Sequence, residues 1–302
     1  MSDIKLFQAG QGTFSELKSS QAPLERGLQT LFEKNLETLL GVRFLASEYV
    51  TSNGGRMDTL GLDENGYPVI IEYKRDRSEN VINQGLFYLD WLMDHRGNFE
   101  LLVRDRYDKS VAEQIEWSAP RLICIAADFT KYDTHAVNQM GRNIELIRYK
   151  KFGDDLLLLE QLTSVSASQA VSIDPISGAI KPNKYKTVSD MMGDAGTMLT
   201  NLYTDVETYL LGLGDDVTKK TLRNYFAFRR IKNFACVEVK ITLNLVRLYL
   251  KVDPDTVTLE EGFTRDVRNL GHFGTGDLEV TLKSHDDLER AKPLIIQSYE
   301  AS

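Results

Sequence analysis

The chain has 302 residues, of which 42% are hydrophobic and 26% are charged, and its formal net charge is −8. No apolar run approaches the roughly 18 residues that a membrane-spanning helix needs, and there is no signal-peptide pattern. We therefore expect a soluble, cytoplasmic, globular protein of two domains without a membrane partner.

The few histidines and cysteines argue against several classes of site. None of the four histidines is paired with another at a ligand spacing, so neither a histidine-based metal site nor a Ser-His-Asp triad is expected. Cys124 and Cys236 are far apart in apolar surroundings, which favours neither a disulfide framework nor a zinc site. A reducing compartment fits this usage.

The chain begins with an irregular, polar stretch over residues 1–22. Gly10-Gln11-Gly12 occurs there, but no strand precedes it and no helix follows, so a phosphate-binding loop is not expected. Leucine and phenylalanine then recur at helical spacing from Leu24 to Leu40, with Pro23 before the first turn and Gly41 after the last. One helix is predicted there, and a strand follows over Val42–Thr51.

The next segment predicts a β-hairpin with carboxylates in unusual places. Two runs that read as strands flank Glu64-Asn65-Gly66, with Gly66 in the left-handed conformation. This three-residue loop sets Asp58 opposite Glu72, with Lys74 on the same face. A two-residue Asn-Gly loop would instead shift the register by one residue and separate Asp58 from Glu72.

Opposed carboxylates on a sheet repel each other, so their pairing points to a bound cation. Mg²⁺ is the natural candidate, because it is usually held by one or two carboxylates and keeps several waters. Lys74 could orient such a water or neutralise charge on a phosphate. The alternative is a solvated charged face, but Glu72 follows the apolar run Val69-Ile70-Ile71, where an unpaired charge is costly.

The remaining elements of the first half alternate between helices and strands. Helices are predicted at Asn80–His95, Ser110–Trp117 and Thr134–Met140, and strands at Arg121–Ala127, Ile144–Tyr149 and Leu156–Leu159. The pattern does not decide between helix and strand for Phe99–Val103. The predicted order is α, β, β, β, α, β.

The stretch Gly55-Arg56-x-Asp58, then Val69-Ile70-Ile71-Glu72-Tyr73-Lys74-Arg75, resembles the PD-(D/E)XK nuclease signature. With Gln84-x-x-x-Tyr88 on the next helix, it is similar to the catalytic domain of the NucS (EndoMS) branch. The resemblance covers residues 23–160 and implies an α/β fold with a restriction-endonuclease-like αβββαβ core.

The same resemblance implies site roles. Asp58 and Glu72 would hold Mg²⁺, for which Mn²⁺ can substitute, and a glutamate of the first helix would complete the metal site, with Glu25 the first choice and Glu33 the second. Lys74 would position the attacking water. Gln84 and Tyr88 would line the site, although their spacing also suits the polar edge of an amphipathic helix.

The second half predicts a linker and a smaller α+β domain. Residues 163–187 are rich in serine, with scattered proline and glycine, which indicates a linker between domains 1–162 and 188–302. Helices are predicted at Val188–Leu211 and Val217–Phe228. A period-two pattern then changes phase at Asn244-Leu245, which indicates a hairpin or a bulge.

Residues 219–251 carry nine basic residues and Glu238 as the one acid, so the overall negative charge does not exclude a nucleic-acid partner. A face with interleaved aromatic rings would suit nucleic acid, and protection of sheet edges by cations is an equally good explanation. The candidate binding residues are Arg223, Arg229, Arg230, Lys232, Lys240 and Arg247.

The segment from Gly271 to Glu300 contains a glycine-rich stretch, a strand at Leu278–Leu282 and a helix that starts at Ser284. A structural turn is the favoured interpretation of the glycines. The segment resembles a domain of unknown function found in proteins labelled as predicted transport proteins.

The function expected from the whole sequence is that of a Mg²⁺-dependent endonuclease that hydrolyses phosphodiester bonds, with DNA as the expected substrate. The alternative is a non-catalytic nucleic-acid-binding or interaction protein on a nuclease-like scaffold. Whether the protein forms a homodimer is left open.

Overall fold

The computed structural model describes residues 4–10, 12–20, 25–77, 81–153, 155–165, 188, 192 and 195–302. The chain divides into two compact units, Met1–Ala170 and Val171–Ser302. The predicted linker at 163–187 starts inside a strand that continues to Val165, and its other residues lie outside the described part of the chain. None of the described helices is both long enough and apolar enough to cross a membrane.

The first unit alternates strands and helices along the chain. Its described strands are β1 (Leu6–Gly10), β2 (Thr13–Leu17), β3 (Ser19–Ser20), β4 (Val42–Val50), β5 (Arg56–Asp63), β6 (Pro68–Arg77), β7 (Arg121–Asp128), β8 (Asn143–Phe152) and β9 (Leu156–Val165). Its described helices are α1 (Glu25–Glu33), α2 (Leu36–Leu40), α3 (Val81–Asp94), α4 (Arg96–Arg106), α5 (Lys109–Glu113) and α6 (Lys131–Gln139).

Seven of these strands form one mixed sheet. Its order is β3-β8-β7-β6-β5-β4, and β9 also pairs with β8. Strands β4, β5 and β6 pair antiparallel, whereas β6, β7 and β8 pair parallel. The α/β class and the αβββαβ order expected from the sequence are confirmed.

Helices cover both faces of the sheet, which makes its central strands almost uniformly apolar. On one face, α3 packs over side chains such as Leu60, Ile70 and Leu122. On the other face lies α1, where the ring of Phe32 contacts that of Tyr73 with 5.7 Å between centroids. The site residues of β5 and β6 therefore lie at the edge of a well-packed core.

Two predictions for the N-terminal region are wrong. Residues 1–22 are not irregular throughout, because β1 and β2 form a hairpin that starts at Leu6. The predicted helix Leu24–Leu40 is two helices, which are separated at Lys34 and Asn35. There the Asn35 side-chain amide donates to the carbonyl of Leu31 at 2.8 Å, the kind of local bond by which asparagine competes with a helix.

The second unit is an α+β layer in which helices cover one face of an antiparallel sheet. Its described strands are β10 (Thr218–Thr221), β11 (Phe226–Arg229), β12 (Asn233–Lys240), β13 (Leu245–Leu250), β14 (Thr264–Asp266) and β15 (Leu278–Leu282), in the order β10-β11-β12-β13-β15-β14. Its described helices of four turns or more are α7 (Thr197–Leu211) and α8 (His285–Glu300).

The second unit confirms the hairpin at Asn244, whose φ of 50° places it in the left-handed region. Helix α8 begins after Ser284, whose hydroxyl accepts from the amide of Asp287. The helix predicted over Val217–Phe228 is wrong: this segment forms β10 and β11, which pair with each other. Pairing with β12 buries Phe226 and Phe228, and this tertiary gain overrides the local pattern.

Candidate active site

The β5–β6 hairpin has the register predicted from its loop. The amide of Asp63 donates to the carbonyl of Tyr67, and Gly66 has a φ of 82°. Thr59 pairs with Ile71 and Leu62 pairs with Pro68, so the same register places Asp58 opposite Glu72. The loop is therefore Glu64-Asn65-Gly66, and the two carboxylates share a face of the sheet.

The backbone ladder between β5 and β6 stops at this carboxylate pair. Its last pair is Thr59 with Ile71, although β6 continues beside β7 beyond Glu72. Past that point, the amide of Tyr73 donates to Asp58 Oδ2 at 3.0 Å, and the amide of Asp58 donates to Glu72 Oε1 at 3.2 Å. The two carboxylates thus take the place of backbone acceptors where the strands part.

The environment of the Asp58 and Glu72 carboxyl groups disfavours their negative charge. Burial raises the pKa of Glu72 to about 9, with the nearby Asp58 carboxylate as the next cause. Burial also raises the pKa of Asp58, although the hydrogen bond from the amide of Tyr73 opposes the shift. Two acids that are close and poorly solvated are characteristic of functional sites.

One carboxylate oxygen of this pair is buried and unsatisfied. Glu72 has 0% exposure, and its Oε2 atom has no hydrogen-bond partner. Leaving a buried polar atom unsatisfied is costly, and a bound cation would remove that cost. The two carboxylates therefore fit a divalent ion that accepts oxygen ligands.

The structure places Glu25 beside Lys74 and not in a three-carboxylate cluster. Lys74 Nζ donates to Glu25 Oε1 at 3.1 Å, which ties the first turn of α1 to β6. Within the described part of the chain, no group of three histidine, cysteine, aspartate or glutamate side chains is arranged to hold a metal ion. The role of Glu25 as a third ligand stays a prediction.

The second choice, Glu33, lies elsewhere. Its Oε1 atom accepts from the hydroxyl of Thr59 at 2.6 Å and from Gln29 Nε2 at 3.0 Å. The same Gln29 nitrogen also donates to the carbonyl oxygen of Asp58 at 2.8 Å. Sequence reasoning missed Gln29, which connects α1 to the backbone at Asp58. The spacing Glu25, Gln29, Glu33 was an available signal, because residues four apart share a helix face.

Gln84 and Tyr88 support the backbone just before Asp58. Gln84 Nε2 donates to the Tyr88 hydroxyl at 3.1 Å, and that hydroxyl also accepts from the amide of Arg56 at 3.2 Å. A Cβ atom at Gly55 would lie 2.5 Å from the Tyr88 ring. The glycine of the Gly55-Arg56-x-Asp58 motif is therefore required by close packing against α3.

The candidate nucleic-acid-binding residues of the second unit do not form one exposed basic stripe. Arg229 is only 2% exposed, and its guanidinium donates to the carbonyl of Ile231. Lys240 is ion-paired with Glu238. Two more of the candidate residues are ion-paired, Arg230 with Asp216 and Arg247 with Glu279.

Arg223 is exposed in the turn between β10 and β11. Lys232 is half-buried in the turn between β11 and β12, where its carbonyl accepts from the amide of Arg230 at 2.9 Å. Ion pairs with Glu238, Asp216 and Glu279 thus neutralise part of the basic set, and its role in nucleic-acid binding stays a prediction.

The glycine-rich stretch is a packed loop, as the turn interpretation predicted. Gly274 has a φ of 82°, and a Cβ atom there would lie 2.6 Å from Cys236 Sγ. The ring of His272 stacks on Tyr249, with centroids 4.4 Å apart. Cys124 and Cys236 are both buried.

Comparison with known proteins gives one family model and one full-length relative. Residues 189–302 match the family described as Domain of unknown function (DUF5655). Over 98% of its length the chain is 29% identical to an uncharacterized protein of Haemophilus influenzae, of which it covers 99%. Nothing in these matches supports the transport label that the C-terminal resemblance carried.

Solved structures that are similar to part of this chain include a repair endonuclease and EndoMS. One is from Pyrococcus abyssi, at 20% identity over 44% of this chain, with a TM-score of 0.30. Another is EndoMS bound to double-stranded DNA, at 21% identity over 43% of this chain, with a TM-score of 0.29. The chain spans about half the length of each, 50% and 47% respectively. These partial likenesses assign no activity to this chain.

Proposed function

We propose that this protein is a metal-dependent nuclease that hydrolyses phosphodiester bonds of nucleic acid, and that its substrate is DNA. The observation that carries the proposal is the pairing of half-buried Asp58 with buried Glu72, whose Oε2 atom has no hydrogen-bond partner. A buried carboxylate with a purely structural role would be expected to have donors for both of its oxygens.

Asp58 and Glu72 are the residues that would hold the cation, Mg²⁺ or Mn²⁺. When bound, such an ion lowers the pKa of a coordinated water and stabilises negative charge on a phosphoryl oxygen. The protein fixes both carboxylates beforehand, through the amides of Asp58 and Tyr73. This fixation means that little conformational freedom is lost when substrate arrives.

Lys74 supplies the positive charge beside this pair. It lies two residues after Glu72 on the same face of β6, and its ammonium group is held by Glu25. In the proposed reaction this ammonium group donates a hydrogen bond to the attacking water or to the phosphate oxygen on which charge develops. The ion pair with Glu25 thus fixes the position of the Lys74 ammonium group.

Side chains of α3 and α1 hold the backbone of the site in place. Tyr88 holds the amide of Arg56, and Gln29 holds the carbonyl of Asp58, so both ends of the segment 56–58 are anchored. The preference for DNA over RNA rests on the resemblance of the segments around Asp58 and Glu72 to NucS nucleases. The second unit is not assigned a binding role in this proposal.

The test is a cleavage assay of the purified chain with Mg²⁺ or Mn²⁺ on single-stranded and double-stranded DNA and RNA. The proposal expects DNA cutting by the native protein and its loss in Lys74→Ala and Glu72→Gln. Glu113→Gln, an exposed change on α5, is the matched control and should cut normally. The loss in Lys74→Ala should reach about 10²-fold or more in rate.

The outcomes separate the two functions. Absence of cutting on every substrate, together with no thermal shift by Mg²⁺ or Mn²⁺, would refute the metal-dependent nuclease. Retention of nucleic acid without cutting would favour the non-catalytic scaffold. Cutting of RNA alone would refute the assignment of DNA as the substrate.

A further inference from the structure

The N-terminal hairpin, described over residues 4–10 and 12–17, forms an arm with its own two-stranded sheet. Leu6 pairs with Leu17 and Gly10 pairs with Thr13, and these strands belong to a sheet separate from the seven-stranded one. Every residue of β1 and β2 is exposed except Leu6 and Leu17, which are half-buried. An isolated two-stranded hairpin is at best marginally stable in water, so this arm needs a surface to pack against.

Two phenylalanines of the arm lie on one face. Phe7 pairs with Glu16 and Phe14 pairs with Ala9, so the two rings occupy diagonal positions on the same side. They are 55% and 76% exposed. Full burial of each ring would contribute about 1.5–3 kcal/mol, so their exposure leaves a large gain available for association.

A pocket lined by leucines and polar side chains lies between α1, α2 and the turn that joins β8 to β9. Its volume is about 190 Å³. A closed apolar cavity of about 150 Å³ is known to accept benzene, so one phenyl ring fits this space. The lining residues are Leu31, Leu39, Leu156 and Leu157, with Asn35, Thr38, Lys151 and Asp155 at the polar positions.

The arm starts beside this pocket but does not fill it. Strand β3, which follows the arm directly, pairs through Ser20 with Lys151, one of the lining residues. The two exposed rings nevertheless remain in solvent. The pocket and the arm also carry complementary charges: Lys5 and Glu16 form an ion pair next to Phe7, and Asp155 and Lys151 lie at the pocket.

We propose that two copies of this chain form a symmetric dimer by exchanging their N-terminal arms. In this dimer, Phe7 or Phe14 of each chain enters the pocket of the other chain that Leu31 and Leu156 line. A two-fold axis makes the contact reciprocal, because each chain gives one arm and receives one. The ion pair of the arm would then meet Asp155 and Lys151 with opposite charges facing each other. This inference is independent of the proposed nuclease activity.

The test measures the mass of the full chain in solution, by light scattering coupled to size exclusion and by sedimentation over a range of concentrations. The native protein should be a dimer. The arm variant Phe7→Ser with Phe14→Ser, and the pocket variant Leu31→Lys with Leu156→Lys, should each weaken dimerisation by at least about 100-fold. Both replace exposed side chains, so folding is expected to persist.

Controls and a mixing experiment make the result specific. Leu101→Lys, an equally exposed leucine on α4, should leave the dimer unchanged. Mixing the arm variant with the pocket variant should restore dimers, because one of the two reciprocal contacts is then intact. A monomeric native protein, or a dimer that survives in both variants, would overturn the proposal.

Discussion

The backbone amide of Asp58 donates to the side chain of Glu72, over 3.2 Å, at the point where β5 leaves β6. This bond orients one oxygen of Glu72 and leaves the other buried and unsatisfied. The stability of the metal-free protein is therefore sensitive to the protonation of Glu72.

We predict that the metal-free protein loses stability as the pH rises. The pKa of Glu72 is raised from 4.5 to about 9, so its protonated form is favoured in the folded state and its ionised form in the unfolded state. The stabilisation of the folded state by protonated Glu72 is complete below about pH 4.5 and is lost as the pH rises towards about 9. The loss is at most about 1.4 kcal/mol per pH unit.

Urea unfolding from pH 5 to 9 with a chelator present measures this dependence. Glu72→Gln should show a flatter profile, whereas Glu113→Gln should follow the native one. Equal slopes in the native protein and Glu72→Gln would contradict the prediction. Adding Mg²⁺ at about 100 times its dissociation constant should restore about 2.7 kcal/mol to the native protein and nothing to Glu72→Gln.

We predict that Gly55→Ala destabilises the first unit by about 1–3 kcal/mol. The new Cβ atom would lie 2.5 Å from the Tyr88 ring, so the ring must move and the bond from the amide of Arg56 is strained. Thermal unfolding checks the change. Gly27→Ala, which has open space in helix α1, should be neutral or stabilising by up to about 1 kcal/mol.

Gly55→Ala should also lower activity more than stability alone explains, because residues 56–58 carry Asp58. The double variant with Tyr88→Leu removes the ring that the Cβ atom meets. Recovery of stability in that double variant supports the packing explanation, and its absence would contradict it.

We predict that Arg121→Met costs about 3–5 kcal/mol. Arg121 is buried and donates to Asp63 at 2.8 Å and to Glu145 at 2.9 Å, so its loss leaves two buried carboxylates without their cation. Chemical denaturation measures the cost. Combining Arg121→Met with Asp63→Asn and Glu145→Gln should recover much of it, since neutral groups are cheaper to bury. A triple variant no more stable than the single one would refute this account.

We predict that Gly274→Ala destabilises the second unit by about 2 kcal/mol or more. Its φ of 82° disfavours a side chain, and the new Cβ atom would meet Cys236 at 2.6 Å. Gly271→Ala is the matched control in the same loop, because nothing lies within 4 Å of its Cβ position. Similar melting temperatures for the two variants would show that the loop is not packed against Cys236.

Much of the first unit could be predicted because its signals are local. The apolar runs of β6 and β7, the turn at Asn65-Gly66 and the glycine after α2 each act within a few residues. The helix predicted over Val217–Phe228 failed because β11 gains more from pairing with β12 than its own spacing indicates. The break at Asn35 was missed because an asparagine side chain can replace a backbone bond.

By itself the sequence determined that a hairpin joins β5 and β6 and limited its register to two choices, because the length of the turn fixes every cross-strand pair. The structure selected the three-residue turn, which sets Asp58 opposite Glu72. The tertiary structure decided where the strands part, which oxygen of Glu72 is buried, and that Lys74 meets Glu25. It also decided that Arg247 and Arg230 meet acids. These contacts join residues far apart in the chain, so only packing of the whole unit brings them together.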